Sequence, residues 1–136
     1  MVSELNLHRR AFWAFFAEAL PGLNARTEYG NESTRWLVVG PRPLVVAHYI
    51  SAGSVGIFVR GARRTRIGHV RELLFPHRDF LAQELSEPEL RLGETFLLNT
   101  RLKMRTEDRA NWPAALEWFA RQSPRYEKAL KALQRR

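Results

Sequence analysis

The fold is decided by the stretch at positions 35–60, RWLVVGPRPLVVAHYISAGSVGIFVR. It contains three short, mostly apolar runs at 35–39, 44–51 and 55–60, which are separated by GPRP at 40–43 and by AGS at 52–54. Runs of this length between turn residues are typical of β-strands, and connections this short make neighbouring strands antiparallel. The stretch therefore predicts a three-stranded antiparallel meander.

The middle run also predicts which residues face the core. Side chains alternate between the two faces of a strand. One face carries Leu44, Val46, His48 and Ile50, and the other carries Val45, Ala47 and Tyr49. We expect His48 to be a hydrogen-bonded histidine at the edge of the core.

The segment before the meander reads as a helix and a loop. At 5–20 the apolar residues Phe12, Phe15, Phe16, Ala19 and Leu20 recur at helical spacing, and Pro21-Gly22 follows them. This predicts a helix that ends at the proline and buries its aromatic face against the sheet. The polar residues 24–34 are predicted to form a loop.

The second half of the chain changes period twice. Residues 65–85 have helical spacing with a break near Phe75-Pro76. The segment 94–104 after Gly93 is predicted to form a strand whose second half, 98–104, alternates as in a half-exposed strand with a basic outer side. A helix is predicted from Asn111, where Pro113 suits a first turn. The pair Ser123-Pro124 repeats the pattern of a cap followed by a proline and predicts a second C-terminal helix.

Together these elements predict an α+β fold: an N-terminal helix, a three-stranded antiparallel meander, a broken helix, one or two further strands, and C-terminal helices packed on one sheet. The length of 136 residues, without a repeat or linker, predicts a single domain over 1–136. The chain has no cysteine, no signal-peptide pattern and no uninterrupted apolar stretch long enough for a membrane helix. We expect a cytoplasmic protein without a membrane partner.

The charge balance is strongly basic. The chain has 22 Lys and Arg against 14 Asp and Glu, a net charge of +8. A basic domain of this size favours a polyanionic partner, most often nucleic acid. The basic residues comprise 19 arginines and 3 lysines, a bias that a GC-rich genome also produces without selection for binding. Where a phosphate partner exists, the guanidinium fork binds it in a bidentate way.

Some of the basic residues form three clusters along the chain. The first two, predicted to contact nucleic acid through phosphates, follow the third strand and occupy the late strand; they are Arg60, Arg63, Arg64, Arg66, Arg71, Arg101, Lys103 and Arg105. DNA is the expected polymer ahead of RNA. The third group, at the C-terminal end of the last helix, is interpreted as a solvated surface that suits the helix dipole.

The residues that support enzymatic chemistry form no recognisable motif. No Asp or Glu is followed two positions later by Lys, the histidines lack a zinc-binding spacing, and no serine lies in a nucleophile elbow. We therefore predict a small non-enzymatic domain with no cofactor and no metal, acting as a DNA-binding accessory or regulatory protein.

Two alternatives remain open. The first is a protein–protein interaction module or homodimeric regulator that uses the aromatic first helix or the outer sheet face. The second, with least support, is a small-ligand or enzymatic domain with a pocket near His48 and Tyr49.

Several short motifs carry a family resemblance. They are FWAFF at 12–16, Trp36-Leu37, VGIFV at 55–59, Leu73, His77-Arg78, Glu84-Leu85, and Asn111-Trp112-Pro113 leading to Glu117-Trp118-Phe119. With these motifs the chain resembles the bacterial domain-of-unknown-function family 4268, whose members stand alone or lie C-terminal to restriction-nuclease-like regions. The resemblance covers most of the chain, implies no catalytic residues, and favours a role related to DNA or to defence.

Overall fold

A five-stranded antiparallel sheet organises the chain. The computed structural model describes residues 3–42, 44–86 and 97–136. The strands are β1 (Thr27–Asn31), β2 (Thr34–Val39), β3 (Leu44–Ile50), β4 (Ser54–Gly61) and β5 (Leu97–Lys103), adjacent in that order. The predicted meander, β2 to β4, is confirmed, and the predicted late strand is β5. Positions 94–96, with which that strand was predicted to begin, lie outside the described residues.

The predicted loop at 24–34 is wrong, because it contains the end of a short helix and an edge strand. Helix α2 (Pro21–Arg26) starts at the proline that was expected only to stop α1 (Glu4–Ala19). Strand β1 then pairs with β2 from Thr27 to Asn31, with a shift in register after Tyr29. Its single buried residue is Gly30, so the strand has no apolar alternation that a sequence pattern could detect. Backbone pairing to β2 holds it in the sheet.

The broken helix is confirmed. Helix α3 (Ile67–Leu74) and helix α4 (Arg78–Glu84) are separated by a 3₁₀ turn, Phe75–His77, that contains Pro76. The proline lacks the backbone N–H that a continuous α-helix would use. The chain therefore changes to the tighter turn at this residue.

The prediction of two C-terminal helices is wrong. Helix α5 (Trp112–Gln134) runs without interruption through Pro124. An internal proline costs about 3 kcal/mol or more in an isolated helix. Here Ser123, Tyr126 and Leu130 are all buried, so packing on both sides of the proline keeps the helix continuous.

The buried hydrophobic residues of the described helices belong to one core on one face of the sheet. Phe12, Trp13 and Phe16 of α1 meet Phe119 of α5 in this core. Full burial of such an apolar side chain contributes about 1.5–3 kcal/mol. The predicted burial of the aromatic face of α1 is confirmed.

The opposite face of the sheet, here called the outer face, carries a second, small cluster of Trp36, Val45 and Ala47, against which Phe58 packs. The predicted alternation of β3 is confirmed, because Val46 belongs to the helix-side core while Val45 belongs to the outer cluster. In the parts of the chain that the structure describes, no helix contributes to the outer cluster.

Candidate nucleic-acid interface

A groove of about 720 Å³ lies on the outer face of the sheet. Cross-strand pairing places Trp36, Ala47 and Phe58 in one row across β2, β3 and β4. The small side chain of Ala47 therefore separates two large aromatic ones. This row forms part of the floor of the groove.

The neighbouring row of paired residues forms a second part of the floor. Tyr49 of β3 pairs with Gly56 of β4, and Gly56 pairs with Arg101 of β5. A Cβ at Gly56 would overlap the Tyr49 ring, so the ring lies across the sheet over the glycine. Its hydroxyl donates to Oδ1 of Asn99 at 3.2 Å. One side of the ring is thus held against the backbone, while the half-buried residue still lines the groove.

The chemistry of the groove is aromatic, hydrogen-bonding and basic. The described lining residues include no Asp or Glu, and they include Trp36, Tyr49, Phe58, Arg60, Asn99 and Arg101. Cationic groups without acidic neighbours in a concave surface raise the local concentration of anions. The groove therefore suits an anionic ligand that also has flat rings.

Trp36 anchors two of the arginines. The guanidinium carbons of Arg60 and Arg63 lie 4.2 and 4.6 Å from the centroid of its ring. Cation–π contacts at this distance contribute about 0.5–1 kcal/mol when exposed and more when desolvated. Arg63 also donates from Nη2 to the carbonyl oxygens of Tyr29 and Gly30, each at 3.0 Å. These contacts therefore hold the two guanidinium groups in place over the Trp36 ring.

The closeness of these two cations has an electrostatic consequence. Burial, and then the charge of Arg63, lower the pKa of Arg60 from its ordinary value. Neither arginine forms an ion pair with a described carboxylate. A bound anion would relieve the repulsion between the two guanidinium groups.

A bulge in β5 aims Asn99 at the groove. Leu97 pairs with Val59 and Thr100 with Ile57, so Leu98 and Asn99 together oppose one residue of β4. Leu98 has a φ of 54°, a left-handed conformation that costs an L-residue about 1–2 kcal/mol. Its side chain is buried, and its carbonyl oxygen accepts a hydrogen bond from the Tyr126 hydroxyl at 2.8 Å. These contacts hold the bulge that turns Asn99 outward.

The structure brings together half of the predicted basic residues. Arg60 and Arg101 line the groove, and Arg63 covers the Trp36 ring beside it. Lys103 lies on the same face of β5, opposite Ser54. These four residues are called the outer-face cations below.

The other four predicted residues do not line the groove, although Thr65, between Arg64 and Arg66, does. Arg64 and Arg66 are exposed in the loop between β4 and α3, and Arg71 is half-buried on α3. Arg105 follows β5, where its Nη2 lies 2.6 Å from Oε1 of Glu107. None of the four is among the described residues that line the groove. For Arg71 and Arg105, closeness along the chain did not predict a position in the groove.

Gly56, Phe58 and Asn99 were not predicted as site residues from the sequence, whereas Tyr49 was placed near a possible pocket. The alternation of β3 did assign Tyr49 to the outer side. The sequence did contain a signal for this arrangement. The outward-facing Tyr49 lies shortly before a turn, and the strand after the turn has an internal glycine, Gly56. The tryptophans Trp112 and Trp118 are buried in the helix-side core.

His48 lies on the helix-side face and is fully buried. A backbone carbonyl only accepts, so Nδ1 donates to the Arg35 oxygen at 3.1 Å, and Nε2 accepts from the Ser123 hydroxyl at 2.9 Å. Burial lowers the pKa of His48 to about 4, and the imidazole is neutral. The expectation of a hydrogen-bonded core histidine is confirmed. Of the two residues near which a pocket was suggested, Tyr49 lines the groove and His48 does not, because the two side chains lie on opposite faces of the sheet.

The idea that α1 offers its aromatic face to a partner is also wrong. Phe12, Trp13 and Phe16 are at most 3% exposed, so that face is buried in the core. Among the described residues, no three His, Asp or Glu side chains form a group that could hold a metal ion. None of the helices in the described ranges combines the length and apolarity needed to cross a membrane.

Comparisons with known protein families, with curated proteins and with solved structures find no match to this chain. The resemblance to the bacterial domain-of-unknown-function family 4268 stays a prediction. The chemistry of the groove is therefore the feature of the molecule that bears on its function.

Proposed function

We propose that the protein binds nucleic acid through the outer face of its sheet and acts as an accessory or regulatory protein, with DNA as the expected polymer. The observation that supports this most is the groove of about 720 Å³ that Arg60 and Arg101 line, with no carboxylate among its described lining residues. Nucleic acid supplies both a line of negative charges and flat rings.

The outer-face cations provide the phosphate contacts. Each cation that neutralises a phosphate releases a counterion. The logarithm of the binding constant therefore falls linearly with the logarithm of the salt concentration. Four contacts give an expected slope of about −3 to −4, depending on whether the polymer is single- or double-stranded. The exposed Arg64 and Arg66 lie in the loop that leaves the groove wall, so we assign them weaker contacts at its rim.

A salt titration of binding, followed by fluorescence anisotropy with a labelled oligonucleotide, tests the proposal. The double variant Arg60→Gln/Arg101→Gln is expected to weaken binding and to make the slope shallower by about 1.5–2. The matched control is Arg121→Gln/Arg135→Gln, which removes the same charge from exposed positions at α5. The control is expected to change affinity only slightly.

Two results would overturn the proposal. One is the absence of binding at low salt to any of the nucleic acids offered. The other is an equal loss in the groove variant and in the α5 control, because binding would then follow net charge and not the groove. Thermal unfolding of both variants verifies that each is folded when it is assayed.

A further inference from the structure

We propose that Arg60 and Arg63 form a site for a phosphomonoester dianion, the group that a nucleic acid strand carries only at a phosphorylated end. The inference rests on the proposed function and specifies which phosphate of the polymer the groove prefers. A free nucleotide carries the same group, and the experiment separates the two sources.

The two guanidinium groups lie close together over one aromatic ring. Both guanidinium carbons lie within 4.6 Å of the centroid of the Trp36 ring, so they are neighbours in space. Arg60 lines the groove, and Arg63 covers the same ring beside it. A phosphomonoester has three acceptor oxygens, and each guanidinium group carries several N–H donors. One phosphate group at this end of the groove would therefore interact with both arginines.

Backbone contacts orient the two side chains and leave N–H groups for a ligand. Nε of Arg60 donates to the Gly61 oxygen at 3.0 Å. Nη2 of Arg63 donates to the carbonyl oxygens of Tyr29 and Gly30, each at 3.0 Å. No described acceptor is bound to the Nη groups of Arg60 or to Nε and Nη1 of Arg63. These remaining groups are charge-assisted donors whose fork geometry matches phosphate oxygens.

A strained turn brings Arg63 to this position. The backbone N–H of Thr65 donates to the Ala62 oxygen at 3.1 Å, which closes a four-residue turn. The third residue of that turn, Arg64, has the left-handed φ of 70°, which an L-residue adopts only at a cost. Backbone strain of this kind is concentrated at functional sites, where it positions the groups that act there. The strain at Arg64 therefore supports a binding role for the residue before it.

The local charge decides between a monoester and a diester. Arg60 and Arg63 each carry one positive charge, and neither forms an ion pair with a described carboxylate. Glu28 pairs with Trp36 in the sheet, but it too forms no ion pair with either arginine. An internal phosphodiester has a single negative charge, whereas a phosphomonoester has about −1.5 to −2 at pH 7. A monoester therefore neutralises the pair, and a diester leaves about half of its charge.

The other two outer-face cations are arranged differently. Arg101 and Lys103 occupy successive outward positions of β5, opposite Gly56 and Ser54. Such positions are about 6.6 Å apart along a strand, and neither cation stacks on a described ring. Separate single charges suit the internal phosphates of a backbone, which carry one negative charge each. The outer face thus has a paired site near the end of β4 and single sites on β5, which gives a bound strand a direction.

The experiment offers the full 136-residue protein one short DNA sequence with three kinds of end: hydroxyl groups only, a 5′-phosphate or a 3′-phosphate. The fluorescent label is on an internal base, and each probe is tested as a single strand and annealed to its complement. One of the two phosphorylated ends is expected to strengthen binding at least about tenfold over hydroxyl ends, as one additional charge-assisted hydrogen bond does.

A fourth probe isolates the second negative charge. It carries the methyl ester of the preferred terminal phosphate, which keeps the phosphate group at the end but leaves it with one charge. This probe is expected to lose most of the gain in affinity. A methyl ester that binds as tightly as the monoester would overturn the inference, because the site would then not distinguish a dianion.

A competition separates a strand end from a free nucleotide. The thymidine monophosphate whose phosphate position matches the preferred end is titrated against the labelled phosphorylated strand. It is expected to bind at least about tenfold more weakly than the strand, because it lacks the internal phosphates that Arg101 and Lys103 contact. Equal affinities would overturn the assignment of the site to a strand end.

The variants connect the preference to the pair of arginines. Arg63→Gln is expected to reduce the gain from the terminal monoester to about twofold or less, because one cation then faces the dianion. Arg121→Gln is the matched control, since it removes the same charge from an exposed position on α5; it is expected to keep the full gain. Thermal unfolding verifies that both variants are folded, and the comparison of ends on the unmodified protein needs no variant.

Failure of this inference is distinguishable from failure of the proposed function. If phosphorylated and hydroxyl ends bind equally in single strands and in duplexes, or if folded Arg63→Gln keeps the full gain, the dianion site is wrong. The proposed function survives that result when Arg60→Gln/Arg101→Gln still weakens the binding of hydroxyl-ended DNA. If no probe binds at low salt, both are wrong.

Discussion

Acidification is expected to destabilise the protein through His48. The buried imidazole has a pKa of about 4 in the folded chain, against 6.5 for an exposed histidine. At about 1.36 kcal/mol per pH unit, protonation of the unfolded state alone removes about 3 kcal/mol of stability by pH 4. This is a large fraction of the roughly 5–15 kcal/mol that holds a typical domain folded.

The sign follows from proton uptake. Above pH 6.5 His48 is neutral in both states, so the contribution is fully present. As the pH falls from 6.5 towards 4, the unfolded chain binds a proton that the folded chain excludes, and stability is lost over that window. In the folded chain Nε2 already accepts a hydrogen bond from the Ser123 hydroxyl, so a proton added at Nε2 would face a group that is donating.

Urea unfolding followed at several pH values from 7 down to about 5 measures this contribution. The hydrogen bond with Arg10 lowers the pKa of Glu32 from its ordinary value of 4.5. The stability that Glu32 contributes is therefore lost only below about pH 4.5, outside that range. The comparison variant is His48→Gln, whose amide can replace both hydrogen bonds and does not titrate. It is expected to lose most of the pH dependence. The same pH slope in His48→Gln and in the parent would refute the reasoning.

Three further predictions concern stability and are measured by thermal or urea unfolding. Arg64 has a φ of 70°, so Arg64→Gly is expected to be about 1 kcal/mol more stable than Arg64→Ala, which loses the same charge but keeps the backbone strain; equal stabilities would contradict this. Gly56→Ala is expected to cost about 1–3 kcal/mol, because the new methyl group displaces the Tyr49 ring; an unchanged Tyr49 environment by NMR would show that the ring does not lie there. Ser123→Ala leaves Nε2 of His48 buried without a donor and is expected to cost about 1–3 kcal/mol, whereas a neutral effect would mean that the hydrogen bond is absent.

The elements that the sequence predicts well are those in which pattern and packing agree. The helix α1 and the strands β2 to β4 have strong periodicity and clear turn residues, and the structure confirms them. Strand β1 was missed because its ends are polar, its one buried residue is a glycine, and its stability comes from pairing with β2. Pro124 was misread because a local helix breaker is overruled by burial on either side of it.

The candidate site shows the same division. Arg60 and Arg101 were predicted from charge density, which is visible along the chain. The position of the Tyr49 ring over Gly56 was not predicted. It depends on the cross-strand pairing of the two residues, and this register is set by the conformation of the turn at 51–54. Arg71 and Arg105 were grouped with the others by chain position, although the loops and helices carry them to other parts of the surface.

Arg63 has a consequence for the behaviour of the sheet at high concentration. An edge strand offers unpaired backbone groups to the sheets of other molecules, and charged side chains and bulges are the usual defences. The edge strand β1 has both, because its register shifts after Tyr29 and the guanidinium group of Arg63 occupies the carbonyl oxygens of Tyr29 and Gly30. The same side chain that presents a positive charge to the groove thus protects this edge of the sheet from aggregation.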